Sequence, residues 1–82
     1  MQNKTPRNEK GQAHGLWEIY YSNGNLLYKG ECINGKRHGP WEGYWKNVNL
    51  WFKGTYLKGE PIGLWIWGCS DGLIEEISFY AK

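Results

Sequence analysis

Apolar and polar positions along the chain fall into short runs separated by turn-forming residues, with no apolar pattern at the 3.6-residue helical period. Residues 16–21 make the first run and Leu26–Ile33 the second. They are followed by residues 40–45, 50–57, 64–67 and 73–80. Each run is long enough for a strand and too short for a typical helix. Ser22-Asn23-Gly24-Asn25 closes the first run, and an Asn-Gly pair between apolar runs predicts a hairpin turn with positive φ at both positions. Asn34-Gly35, Asn47-Val48-Asn49, Lys58-Gly59 and Ser70-Asp71-Gly72 close the next four runs. Val48 stands where a turn glycine is expected, and a β-branched residue resists positive φ, so a different turn type is predicted there. The expectation is an all-β fold, an antiparallel meander of about six strands.

The runs repeat. Trp17, Trp41 and Trp65 are spaced by 24 residues, as are Gly15, Gly39 and Gly63, and Gly11, Gly35 and Gly59. Leu26, Leu50 and Ile74 keep that spacing, and so do Asn23, Asn47 and Asp71. His14 and His38, Glu18 and Glu42, Tyr20 and Tyr44, Lys29 and Lys53, and Gly30 and Gly54 hold it across two units. The chain thus reads as three 24-residue β-hairpin units in a single domain over 11–82, preceded by a polar segment over 1–10. The third unit departs from the pattern: Glu75-Glu76 replaces Trp51-Phe52, and Ser78 replaces Gly54. End repeats cap an array, and two glutamates on an edge strand discourage edge-to-edge pairing.

Side chains alternate between the faces of a strand, so Trp17, Ile19 and Tyr21 share a face, continued by Trp41, Trp45, Trp65 and Trp67. Glu18, Tyr20, Glu42 and Tyr44 point the other way. A single-layer sheet needs its apolar face covered. Either the sheet curls on itself, or it dimerises, or a partner covers it. Most of the tryptophan ladder is expected to be core, with some aromatics left accessible.

Composition reinforces this reading. Six Trp, six Tyr and two Phe favour half-buried strands, and twelve Gly supply the turns. The net charge of +2 is too small to announce a nucleic-acid or membrane-surface protein. No apolar stretch is long enough to span a bilayer. The first eleven residues lack the apolar core of a secretory signal, so a cytoplasmic setting is expected, the host cytoplasm if the chain is phage-encoded. Cys32 and Cys69, about three strand spacings apart, are expected to remain free thiols.

The unit resembles the MORN repeat, in particular its bacterial variant. The residues that carry the resemblance in the first unit are Gly15, Trp17, Tyr20, Tyr21, Asn23, Gly24, Leu26, Lys29, Gly30, Asn34, Gly35, Lys36 and Gly39. The second unit matches at Gly39, Trp41, Tyr44, Asn47, Leu50, Lys53, Gly54, Tyr56, Gly59 and Gly63. The third keeps Gly63, Trp65, Gly72, Ile74 and Tyr80. The resemblance implies a stack of β-hairpins with no chemistry of its own. It also implies roles in protein–protein interaction, scaffolding or, for some members, lipid association. A stand-alone three-unit chain resembles the bacterial or phage usage, in which many members are labelled antitoxin components.

Candidate chemistry is sparse. His14 and His38 sit at equivalent turns about 10 Å apart, too far to share one metal ion, and are read as turn packing. Glu18 and Glu42 could serve glycoside hydrolysis as a carboxylate pair, but cross-strand pairing with Lys29 and Lys53 accounts for their spacing. No nucleophile elbow or phosphate loop occurs, so no enzyme activity, metal or cofactor is expected. The expected function is a non-catalytic protein-binding module, a stoichiometric inhibitor or adaptor acting on one bacterial macromolecular partner, of antitoxin-like or phage anti-defence type. Its expected contact residues are Trp17, Tyr21, Trp41, Trp45, Trp51, Trp65 and Trp67, with Lys36 and Arg37 from a basic turn. A homodimer that covers the tryptophan ladder is one solution to the single-layer problem. The alternative is single-stranded nucleic-acid binding, with bases stacked on the aromatic face and interleaved lysines tracking the backbone. Lipid-surface binding lacks a large enough basic cluster, and an aromatic cage for a quaternary amine is a fourth reading.

Overall fold

The computed structural model describes residues 3–80. Their strands are β1 (Gly15–Tyr20), β2 (Leu26–Ile33), β3 (Lys36–Tyr44), β4 (Leu50–Leu57), β5 (Glu60–Gly68) and β6 (Ile74–Tyr80). They pair antiparallel in chain order across one sheet, so the fold is the all-β six-stranded meander that the runs predict. The Cα trace measures 41 × 36 × 11 Å. A second packed sheet would add about 10 Å to the thin dimension, so the sheet is a single layer.

Two kinds of turn alternate along the chain. Asn34-Gly35 and Lys58-Gly59 are two-residue connections, closed by the pairs Ile33↔Lys36 and Leu57↔Glu60. Both residues of each have positive φ, 49° and 86° for the first and 52° and 86° for the second, as a type I′ turn requires. Because pairing resumes at once after these turns, β3 and β5 begin at Lys36 and Glu60, four residues earlier than the apolar runs suggest. The turns inside the units have another geometry. The N–H groups of Gly24, Val48 and Gly72 donate to the carbonyls of Tyr21, Trp45 and Cys69, and these three residues have φ of 91°, 69° and 95°. The carboxamide or carboxylate oxygens of Asn23, Asn47 and Asp71 accept the N–H of Asn25, Asn49 and Leu73. Two sequence expectations are corrected here. Only Gly24, not Asn23, takes positive φ, because the Asn23 side chain closes a local turn instead. Val48 keeps the turn of its neighbours, in a region that a β-branched residue rarely enters.

The same bulge recurs in every unit. Ile19 faces Tyr28 while Tyr20 faces Leu26, which leaves Leu27 without a direct partner. Trp51 and Glu75 are left over in the same way in β4 and β6.

The core lies within the layer. Trp41 is 3% exposed and Trp65 2%, although no second sheet covers them. Each indole lies flat across the neighbouring strand, over a glycine. A Cβ on Gly30 would sit 2.0 Å from Cδ2 of Trp41, and one on Gly54 would sit 2.0 Å from Cδ2 of Trp65. The Phe52 ring crosses Gly43 in the same manner. Rings laid along the sheet therefore do the covering that a second layer does in a sandwich. A buried tryptophan removes 150–250 Å² from water, so each contributes roughly 4–6 kcal/mol of transfer free energy. Ser78 stands at the third such position, after Gly30 and Gly54, and among the described residues no indole lies over it.

The outer side of β1 is covered by the start of the chain. Lys4 and Glu18 exchange both backbone hydrogen bonds, at 2.8 and 2.9 Å. The Pro6 carbonyl accepts the His14 N–H and the Trp17 indole N–H, and the Arg7 guanidinium lies 5.3 Å from the Trp17 ring centroid. The polar segment of the sequence thus lies, from residue 3 onward, along the sheet edge.

Candidate functional site

Alternation and the repeated bulge bring rings from four strands to one face. Tyr28 of β2 lies 5.8 Å from Trp41 of β3, and Tyr56 of β4 meets Trp41 edge-on at 6.3 Å. Tyr56 also meets Trp65 of β5 edge-on, at 5.0 Å. Phe52 stacks on Trp65 at 6.1 Å, and Trp65 on Trp67 at 5.6 Å. Trp51 would point to the opposite face from Phe52 in a regular strand. As the extra residue of the bulge it lines the same cleft, 5.2 Å from Phe52. These rings enclose an open cleft of about 250 Å³.

Arg37 gives that apolar wall its charge. Its guanidinium carbon sits 5.0 Å from the Trp41 centroid and 5.5 Å from the Tyr56 centroid, and Nη1 donates to the Tyr56 hydroxyl at 3.2 Å. The guanidinium remains exposed. Stacking on two rings holds a cation in place without consuming all of its donors.

Five of the nine expected contact residues converge on the cleft: Arg37, Trp41, Trp51, Trp65 and Trp67. Trp45 packs on Trp51 at 5.4 Å and donates its indole N–H to the Gly68 carbonyl. Tyr21 holds the equivalent place one unit earlier, and its hydroxyl donates to the Tyr44 carbonyl. Both are therefore bridges between units. Trp17 lies apart, on the N-terminal segment. Lys36 lies by the turns, in a shallow depression shared with Ile33, Asn34, His38 and Lys58. Tyr28, Phe52 and Tyr56 line the cleft without being among the expected contact residues. The signal was present, since Tyr28 and Phe52 are one repeat apart and stand two residues before Gly30 and Gly54.

None of the known protein-family models, curated proteins or solved structures matches this chain.

The opposite face carries charge in register. Glu18, Lys29, Glu42 and Lys53 face one another across four strands, and Lys4 Nζ approaches Glu18 at 3.7 Å. The Tyr20 hydroxyl donates to the Glu18 carboxylate at 2.7 Å, and the Tyr44 hydroxyl to Glu42 at 2.8 Å. The Tyr20 bond, helped by Lys4 and Lys29, holds the Glu18 carboxyl below its usual range, and Glu18 in turn raises Tyr20. Burial, with the Glu42 hydrogen bond, pushes Tyr44 up to about 12. Lys29 lies in the row between Glu18 and Glu42, so the carboxylates belong to an alternating ladder. His14 Nδ1 accepts the Asn34 N–H at a turn. Cys32 and Cys69 are free thiols, both raised chiefly by burial. Among the described residues no cluster of three or more His, Cys, Asp or Glu could hold a metal ion, and no helix is long and apolar enough to cross a membrane.

Proposed function

We propose that this chain is a non-catalytic protein-binding module, a stand-alone MORN-like repeat acting in the cytoplasm as a stoichiometric inhibitor or adaptor of one bacterial macromolecular partner. The observation that carries the reading is the aromatic cleft with Arg37 stacked at its wall. Tryptophan, tyrosine and arginine gathered in a partly desolvated hollow are the side chains that dominate protein–protein binding energy. Trp51 and Trp67 are half-buried, so they retain surface for a partner, whereas Trp41 and Trp65 are core. The MORN-like reading is supported by the 24-residue unit and its glycine-covering tryptophans.

Single-stranded nucleic acid fits this geometry less well. Lys29 and Lys53 lie on the face away from the rings, in register with glutamates, so they cannot track a backbone whose bases stack in the cleft.

The test is affinity capture from native cells with tagged wild-type protein, Trp51→Ala and Arg37→Ala, each with and without nuclease. Lys53→Ala serves as a control on the opposite face, and circular dichroism verifies folding. A single stoichiometric protein that survives nuclease, is lost with Trp51→Ala or Arg37→Ala and is kept with Lys53→Ala is the expected result. Retention by all folded variants would exclude the cleft, and loss on nuclease treatment would favour nucleic acid.

A further inference from the structure

The third unit breaks the repeat on the face opposite the cleft, and it does so in one direction. Glu18 and Glu42 become Ile66, and Lys29 and Lys53 become Ile77. Glu31 and Thr55 become Phe79, and Pro40 becomes Leu64, the residue type that the first unit already has at Leu16. The register places Leu64 opposite Phe79 and Ile66 opposite Ile77, so the four side chains form one strip on that face. Phe79 is 75% exposed, Ile77 62% and Leu64 55%. The strip runs to the outer edge of β6, the last strand in the sheet order. The two edges of the sheet are thus unlike. One is covered by Lys4 and Pro6, and the other presents a row of large apolar side chains.

We propose that the β6 edge pairs with β6 of a second copy of this chain, antiparallel and centred on Ser78, making a two-fold dimer with one continuous sheet. In that register Ser78 faces Ser78, Ile77 faces Phe79 of the other copy, and Glu76 faces Tyr80. Glu76 faces Tyr80 rather than a second glutamate, so this register escapes the repulsion that the two glutamates of the edge strand impose on other edge-to-edge pairings. The row Leu64–Phe79 continues into Ile77–Ile66 of the second copy and the row Ile66–Ile77 into its Phe79–Leu64, so Ile77 and Phe79 of both copies, four apolar side chains, meet across the axis. The strip offers on the order of several hundred Å² per copy, more than scattered surface residues do. Pairing sets Ile77 against Phe79 in both rows and gives partners to the outward backbone groups of β6, so contact along the axis rather than burial of the whole strip joins the copies.

Head-to-tail growth, the other way for copies to associate, is barred at both ends. Lys4 already occupies the outer side of β1. On β6, Ser78 stands where Gly30 and Gly54 admit an indole, and a Cβ at those glycines would be 2.0 Å from the ring. The Trp17 of a following copy therefore has no place to lie. Only the isologous arrangement remains for an edge that is self-complementary.

Sedimentation of the full chain from micromolar to millimolar concentration tests this. The expected mass is twice that of one chain, and I77K and F79E each return it to one chain with an unchanged circular dichroism spectrum. Because Ile77 faces Phe79, mixing the two variants places Lys against Glu in one row and leaves the other row apolar, so the mixture regains the doubled mass. A wild-type mass of one chain throughout would overturn the proposal and leave the strip to a foreign strand. Dimers that persist in both variants, or a mixture that stays monomeric, would overturn the register and with it this interface.

Discussion

Val48 holds a φ of 69° with its side chain 60% exposed, at a position where the flanking units have Gly24 and Gly72. The left-handed region costs a non-glycine residue about 1–3 kcal/mol, and little burial is present at this site to offset it. Val48→Gly is expected to raise stability by about 1 kcal/mol, after the greater freedom of glycine in the unfolded chain is subtracted. Urea denaturation measures it, and a variant no more stable than the parent would show the strain to be absent. Tyr44 sets a pH limit at the same scale. Its folded-state pKa is raised from 10.0 to about 12 by burial and the Glu42 hydrogen bond. A raised pKa favours the protonated form in the fold, so its contribution is complete below about pH 10 and is lost as pH rises toward 12. Urea midpoints followed through that window are expected to fall in the parent and to fall less in Tyr44→Phe.

At the scale of the element, the working part is a strand pair in which a tryptophan on one strand lies over a glycine on the next. Gly54→Ala places a methyl group within 2.0 Å of the Trp65 ring, which cannot retreat without losing the Phe52 and Tyr56 contacts. The expected loss is at or above the ~1–3 kcal/mol of ordinary overpacking. Ser78→Gly, at the same repeat position with no indole above it, is expected to lie within about 0.5–1 kcal/mol of the parent. Thermal melts of the two variants distinguish a repeat held by ring-over-glycine contacts from one held by backbone pairing alone. Units are also tied at their turns. The amides of Asn23 and Asn25 donate to the Lys46 carbonyl, and those of Asn47 and Asn49 to the Ser70 carbonyl. Asp71 stands at the third position of this series, where a carboxylate has no N–H to donate.

The whole molecule is a single layer, so its edges carry more weight than in a sandwich. Removing residues 1–7 deletes two backbone hydrogen bonds from Lys4 and the Pro6 acceptor of Trp17 and His14. At about 1 kcal/mol for each bond, the melting temperature is expected to drop by roughly 10 °C or more. Light scattering is expected to show aggregation through the bared edge. A shortened chain that melts with the parent would mean that the segment does not support the sheet. The cleft and the apolar strip lie on opposite faces, so a dimer through β6 leaves the cleft open to a different partner.

The meander was legible in the sequence because strand length, turn residues and the 24-residue period are all local properties, and each is repeated often enough to be read without knowing what touches what. β2 and β4 match their apolar runs residue for residue for that reason. The unlike treatment of the two turn classes was not legible. Asn23-Gly24 and Asn34-Gly35 are the same dipeptide, and the length of the connection between paired strands, not the residues, decides their φ values. The site was half legible for a similar reason. Tryptophan positions follow from the period, but the bulge that turns Trp51 into the cleft, and the sheet register that brings Arg37 over Trp41 and Tyr56, exist only once strands are paired. The sequence by itself determined which residues repeat. Tertiary structure decided how a single layer buries its tryptophans, because an indole can lie flat only where the neighbouring strand has placed a glycine beneath it.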